Sequence, residues 1–575
     1  MKRFSRLYII GFLWTSLSLS AQENILTSRV LREPVQKVSE VNDANSVTTI
    51  EYYDTAGRLI QTIRKGFGPN GEDLADYIQF DEAGRIAKEY LSTPFTGNNG
   101  VFVPVSEFEQ STQTWSRTHL YEASTEGRIV ETSGMHVGGK SIKYDYRLSN
   151  SSEPELSALE FRMQNNTTIN KRMAARGAYQ VVEEIDEDGH RILLFTDSDG
   201  HTVLKRRVDG DVYHDTYMVY DAYDHLRCVL PPAAVDAYSS FDDQSLSAGN
   251  FLDLYAYFYI YDNDNQCVGV KYPGADWIYT VYDGDYRPIL SQDGNQRKRD
   301  EWSFIKYDGL GRVVIEGIVK DKRTRDDLAD IYEDVLVHEE YIGTEGPCRG
   351  YTDHIKMGQN RYILTCIRYY DNYAFTEFSS DWSFANMASS ASAKGLLTGV
   401  FEAVLNQPDK GRFTINQYDD KSRLIRRDSK ETLSNNTLSA DYSYNFSGAL
   451  IRSDSRYGNR YSLRLDYNYD HAGREKNSIC VLGYGTTHYT SPLRAFTYDS
   501  HGRISEKMMQ GNKVKMTYGY HNDGTLFNIG SMNGFNETLY FGNSMLPYQL
   551  SRCNNGNIAL SLIHISEPTR PEPIS

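Results

Sequence analysis

Several short strings in the sequence match residue patterns that do chemistry elsewhere. Gly134-Met-His-Val-Gly-Gly-Lys140-Ser141 spells a phosphate-binding loop letter for letter. Such a loop works when a helix follows it, so that backbone N–H groups and the helix N-terminus face the phosphates. Here Ile142-Lys-Tyr-Asp-Tyr146 follows, an alternating strand pattern, and the string reads as a glycine hairpin. Asp186-Glu-Asp-Gly189, Asp197-Ser-Asp-Gly200 and Asp262-Asn-Asp264 have the acidic spacing of calcium loops. The first two lack the third ligand pair and the distal Glu, and turn formation accounts for Asp-Gly on its own. His338-Glu339-Glu340 has no second His four residues away, as a zinc-protease helix requires. His190, His201, His214 and His225 fall at loops and strand ends without a nucleophile beside them. The expectation is no catalytic, cofactor-binding or metal-binding residue, no cofactor, and no enzyme activity in these residues.

The cysteines add no site. Cys228, Cys267, Cys348, Cys366, Cys480 and Cys553 form no CxxC pair and have no His cluster with them, which argues against zinc. In an oxidising compartment one or two disulfides can form, and six cysteines leave the pairing open. A net charge of −16 argues against a nucleic-acid partner. With 39% hydrophobic and 24% charged residues, a packed core is accessible and general disorder is excluded. The chain has 575 residues, of which 44 are Tyr and 44 Gly, a composition suited to pleated sheets and turns.

The elements that must carry these residues are set by a repeat. An aromatic-Asp-x-x-Gly-Arg motif recurs at Tyr53-Asp54 with Gly57-Arg58, Phe80-Asp81 with Gly84-Arg85, and Tyr307-Asp308 with Gly311-Arg312. It returns at Tyr469-Asp470 with Gly473-Arg474, and at Tyr498-Asp499 with Gly502-Arg503. Weaker copies sit at Ile185-Asp186, Tyr220-Asp221, Tyr261-Asp262, Tyr282-Asp283 and Tyr418-Asp419. In each copy Asp bonds the backbone ahead of it, and Gly supplies the positive φ that closes a type I turn with a bulge. Each copy is then one hairpin, unable to bury its own face, so neighbours must join into a continuous antiparallel sheet. Tyr-rich strands could stack on sugars, yet Tyr at one fixed position per hairpin reads as packing. Helical spacing breaks the strand pattern in 231–259 and in Asp321 to Glu340, where Leu328, Ile331, Val335 and Leu336 recur at helical intervals. Ser379 to Ser392 reads as a loop. The fold class expected is all-β, with helix below about 15% because the dominant period is two.

The motif resembles the YD (Rhs) repeat, and its iteration resembles the Rhs-repeat family of bacterial exported proteins. Glu51 to about Gly317 also resembles the conserved N-terminal domain of unknown function that precedes such repeats in bacterial surface proteins. Tyr217-Met-Val-Tyr-Asp221, Leu226 to Pro232, Tyr272 to Trp277 and Gln292 to Gln296 carry that second likeness. The resemblance implies stacked hairpins forming a large curled sheet or shell, which encloses a C-terminal toxin or presents a surface for attachment. The partners it implies are the chain's own further C-terminal domain or cell-surface ligands. Self-cleaving members carry paired Asp-Pro segments; none occurs here, so no self-cleavage is expected.

The ends complete the organisation. Lys2, Arg3 and Arg6 precede an apolar run from Leu7 to Leu19, then Ser20-Ala21 before Gln22, the layout of a signal peptide cleaved between Ala21 and Gln22. The run of about 13 residues is short of the roughly 20 needed to span a bilayer. The expected parts are therefore 1–21 signal peptide, 22–320 N-terminal domain, 321–400 helix- and loop-containing connection, 401–559 repeats, and 560–575 a non-native tail. Leu560 to Arg570 resembles the translation of a sequencing adapter, and the natural sequence is expected to continue past about Ala559. Export to the cell surface, outer envelope or medium follows, as a scaffold for a missing effector or as an adhesion or carbohydrate-binding protein.

Overall fold

The computed structural model describes residues 24–551, apart from 135–140, 164–167, 240–244, 248–251, 355, 357–362, 378–379, 384–392, 406, 459, 510–513, 522, 532–535 and 542–546. The leader with Ala21 and Gln22, the 560–575 tail, Cys553 and most of the 379–392 loop lie outside the described residues. Strands make up 55% of the chain and helices 9%, as the two-residue period requires.

One sheet of 33 strands dominates. Each strand pairs antiparallel with the next strand of that sheet in the chain, so the whole is a single meander. Asn24–Leu31 at one end pairs with Ser46–Tyr53, and Pro547–Ser551 at the other with Asn536–Phe541, so the sheet is open. A second sheet of three strands, Leu159–Met163, Thr168–Met173 and Ser245–Ser247, packs against it.

The meander curls back on itself. His471 Nε2 lies 2.8 Å from the Gly66 carbonyl and 3.1 Å from that of Gly68, about 400 residues away in sequence. One repeat later, His501 Nε2 lies 3.3 Å from the Gln113 carbonyl. Late turns therefore seat on early loops.

Three apolar clusters line the sheet, and the motif aromatic Tyr307 belongs to the third of them. The first cluster holds Tyr52, Ile63 and Ala75 and is covered by helix Val105–Gln110 through Phe108. The second, around Leu193, Leu204, Tyr217 and Phe258, lies under the small sheet and helices Pro232–Ser239 and Leu252–Tyr255. The third runs through Trp302, Phe304, Ile315, Ile367, Phe401 and Phe413, under helix Arg325–Tyr332 and the irregular segment after it. That helix starts on a Thr324–Asp327 capping box and buries Leu328 and Tyr332. Ile331 and Leu336, apolar at helical spacing, are exposed: Ile331 lies within the helix but outside the buried stripe of Leu328 and Tyr332, and Leu336 lies past the helix end at Tyr332, where the Val335 carbonyl accepts the Gly284 N–H. The 321–400 connection also contains the meander strand Ile363–Asp371, and a second, Ala393–Val404, runs across its end. Past Ile415 the one buried apolar side chain among the described residues is Ala440.

Candidate functional site

The turn built by the repeat is the most elaborated arrangement of polar side chains in the molecule. In the copy at Asp308, its N–H donates to the Arg312 carbonyl and the Gly311 N–H donates back to the Asp308 carbonyl, both at 2.9 Å. Asp308 Oδ1 accepts the N–H groups of Leu310 and Arg312, and Oδ2 accepts Arg312 Nε at 2.7 Å. Gly311 sits at φ +77°, and the register shifts between Lys306 and Tyr307, which is the bulge. The same carboxylate–guanidinium clamp closes Asp54–Arg58, Asp81–Arg85, Asp470–Arg474 and Asp499–Arg503. The backbone N–H groups of Arg58 and Arg85 hold the Asp54 and Asp81 carboxyls below the usual range, and their guanidiniums add to it.

Each clamp also reaches the next turn. The Arg58 guanidinium lies 4.2 Å over the Phe80 ring, Arg85 4.2 Å over Tyr121, Arg312 4.4 Å over Tyr370, and Arg474 4.4 Å over Tyr498. Where the aromatic reached is a tyrosine, it donates its hydroxyl backwards, to the carbonyl just after the arginine. Tyr121 bonds Ile86 at 2.8 Å, Tyr370 bonds Val313 at 3.2 Å and Tyr498 bonds Glu475 at 2.6 Å. Tyr469 and Tyr307 make the same bond to Leu450 and Pro288, each at 2.7 Å. Arg503 continues the stack over Tyr520 at 4.8 Å. A cation–π contact plus one hydrogen bond per step links successive turns into a ladder along one edge. Its burial raises the motif tyrosines, Tyr121, Tyr307, Tyr370, Tyr469 and Tyr498 among them, above the ordinary phenol pKa.

Divergent copies keep the geometry with other residues. His201 and His225 replace Arg and stack on Tyr220 and Tyr261 at 4.4 Å. Asp224, Asn265, Tyr286 and Ser422 hold the positive φ that Gly takes elsewhere. Among the described residues, the rungs that escape a search for aromatic-Asp include Tyr121-Glu122 with Arg128, Tyr444-Asn445 with Gly448, and Tyr520-His521 with Gly524. In the first, a longer loop lets Glu122 clamp Arg128, whose guanidinium pulls the Glu122 carboxyl down to about 2. In the second, the Asn445 amide oxygen accepts the Ala449 N–H at 2.8 Å. For the first two the recoverable signal was an aromatic followed by any Asx or Glx and then Gly.

The other sequence candidates take structural places. Residues 135–140 of the phosphate-loop string lie outside the described residues, and strand Ile142–Leu148 follows them. The carboxylates of Asp186, Asp197 and Asp262 each accept backbone N–H groups of their own turns. Asp197, Asp199 and His201 can bring three ligand atoms within 4.8 Å of one another, short of the six to eight oxygens calcium prefers. Glu339 is fully buried and receives Lys306 Nζ at 2.6 Å and the Thr352 hydroxyl at 2.6 Å, while Asp353 takes the same ammonium at 2.7 Å. This clamp ties the 337–354 segment to the sheet. No disulfide joins the described cysteines.

A family model described as a domain of unknown function, DUF6443, matches residues 27–147. A search of curated proteins finds no match. Among solved structures the chain is similar to TcdB2-TccC3 without its hypervariable C-terminal region, with TM-score 0.59 and 12% identity, covering 91% of this chain and 22% of that one. It is also similar to the Tc holotoxin pore of Photorhabdus luminescens, with TM-score 0.60 and 12% identity, covering 92% of this chain and 22% of that one. Likeness at this identity shows a common fold, and the chain spans under a quarter of those chains' length.

Proposed function

We propose that this chain is a length of Rhs-type shell wall, an exported scaffold that encloses or presents a polypeptide and does no chemistry itself. The observation that carries the reading is the ladder: turn after turn commits its carboxylate, guanidinium and phenol to its neighbours along one edge of a single meander. Polar groups spent this way specify register and curvature and leave little for a substrate. The fold shared with TcdB2-TccC3 supports the same reading, and that protein is described with a hypervariable C-terminal region. By analogy the cargo here is a variable C-terminal effector encoded after the repeats, and the basic-then-apolar leader at 1–21 directs export.

The test is to read the genomic locus past the codon for Ala559, express the complete frame and expose it to protease. The expected result is a C-terminal domain unrelated to the repeats that resists digestion until denaturant opens the sheet. A frame ending in more repeats or in an anchor overturns the reading, as does a C-terminal domain cut as fast as its isolated form.

A further inference from the structure

The clamp of Lys306, Glu339 and Asp353 has the makings of a covalent link as well as of an ion cluster. Lys306 is fully buried, a place lysine rarely takes, and its Nζ lies 2.6 Å from Glu339 Oε1 and 2.7 Å from Asp353 Oδ1. One ammonium faces two carboxylates, so a negative charge is left over in a place where burying any ion is costly.

The backbone brings the three together. His338 bridges Tyr307 in parallel, and the Glu339 N–H donates to the Tyr307 carbonyl at 2.7 Å, which lays this segment along strand Glu301–Tyr307. The Thr352 N–H donates in turn to the Glu340 carbonyl at 2.9 Å and sets Asp353 alongside. Glu339 is held by its far oxygen: Oε2 accepts the Thr352 hydroxyl at 2.6 Å and the His354 N–H at 3.0 Å. That leaves Oε1 aimed at Nζ. Val337 and Tyr351, one on each arm of the segment, are buried in the third apolar cluster, so the group sits beside an apolar core.

We infer that Lys306 and Asp353 condense into an isopeptide bond, with Glu339 carrying the proton. Glu339 Oε1 takes one proton from the ammonium, and the freed lone pair adds to Asp353 Cγ. The C–N bond forms as one C–O bond of the carboxyl breaks. The oxygen leaves as water with the proton relayed by Glu339 and a second proton shed by the nitrogen. Glu339 ends as it began, a carboxylate, now accepting the N–H of the new amide. The step needs no oxidant or cofactor, and it replaces two buried charges with one neutral amide. Holding the partners in contact supplies an effective concentration on the order of 10⁵ M or more, which drives condensation that dilute side chains do not undergo. Asp353 is the electrophile because its carboxyl is 16% exposed, giving the water an exit, whereas Glu339 is sealed. The product pins the 337–354 cover covalently to the sheet, whatever the wall encloses.

The full chain is denatured, digested with trypsin and mapped by mass spectrometry. The expected result is resistance to cleavage after Lys306 and a branched peptide of 300–312 joined to 350–356, one water lighter than the sum of the two. Glu339→Gln, with unchanged circular dichroism, should lose the branched peptide and regain cleavage after Lys306. The map of the unaltered chain decides the bond without any variant. Free 350–356 with complete cleavage after Lys306 overturns the inference. So does a branch to 326–349, which would make Glu339 the acceptor, or a branched peptide that persists in Glu339→Gln.

Discussion

The stretch 278–415 and the stretch 424–531 share the same turns and differ in what lies on the sheet's other face. In the first, Phe304, Ile315, Ile367, Phe401 and Phe413 stack from strand to strand beneath a helix and an irregular cover. In the second, the row continues from Ile415 to Asp428 and then Ser439, and the one from Phe413 to Lys430 and Thr437. Arg426, Asp428 and Asp441 pair there, as do Arg464 and Asp466. Charge has taken the place of core. Turn geometry is therefore independent of core burial: the ladder sets register and edge, and the inserted covers decide where apolar depth exists.

The largest expected effect tests that division directly. Phe413→Ala, at a fully buried ring, should cost about 3–5 kcal/mol, from lost transfer energy and the cavity left behind. Thr437→Ala, at the exposed site in line with Phe413 across the strands, should stay within about 0.5 kcal/mol. Urea unfolding followed by tryptophan fluorescence is suited to the first, because Trp302 and Trp382 lie in the covered stretch. The chain has no Trp after Trp382, so amide exchange reads the second. Equal losses at the two sites would mean that the late repeats carry a core of their own.

A smaller effect sharpens the role of the ladder. Arg474→Ala removes the clamp on Asp470, the stack on Tyr498 and the contact 4.9 Å over Phe67. Arg312→Ala removes the clamp on Asp308, the pair with Asp371 and the stack on Tyr370. Each should lose about 1–2 kcal/mol, the scale of a charge-assisted hydrogen bond plus a cation–π contact. The consequences should differ by place. Amide exchange should quicken across 475–509 for Arg474→Ala and stay slow around Phe401 and Phe413 for Arg312→Ala. If both stretches open alike, the covers do not hold the early strands.

Much of this was legible in the residues, for physical reasons. Asp and Gly at fixed spacing encode a turn locally, so the hairpins, the antiparallel sense and the low helix content could be read without tertiary contacts. Helices near 232–239 and 325–332 announced themselves through spacing. The arginine's second contact could not be read, since Arg58 meets Phe80 only after the chain has run up one strand and down the next. The change of face chemistry after Ile415 was open to inspection as Arg/Asp alternation, but which face those residues share depends on bulges that reset register at each turn.

The turn glycines give an effect of about 1 kcal/mol with a built-in sign test. Gly311→Val places a β-branched side chain at φ +77° with open space around it, so backbone strain alone should destabilise by more than about 1 kcal/mol. Ser422 already holds φ +61° at the equivalent place between the two stretches, and Ser422→Gly should stabilise by about 0.5–1 kcal/mol. Thermal melts of the two variants should move in opposite directions. Movement in the same direction would assign the cost to contacts.

The smallest effect per residue is electrostatic and is shared by every rung. Burial raises Tyr307, Tyr370 and Tyr418 in the covered stretch, and Tyr444, Tyr469 and Tyr498 in the bare one. A raised phenol pKa favours the neutral form in the folded chain. The stability it contributes is complete below the unfolded value near 10 and is lost as pH climbs through the folded value. Ionisation also removes the hydroxyl proton that each tyrosine gives to the carbonyl of the preceding turn. In the covered stretch that loss is opposed by the apolar stack behind it, where burial also pushes Tyr373 up to about 12. The bare stretch has only its backbone ladder and ion pairs. Raising the pH from about 9 to about 12 should therefore speed amide exchange in 424–531 first, with phenolate absorbance rising in the same interval. Tryptophan fluorescence from Trp302 and Trp382 should change only at higher pH. Fluorescence that moves first, or in step with exchange in 424–531, would show that the two stretches unfold as one unit and that the covers confer no separate stability.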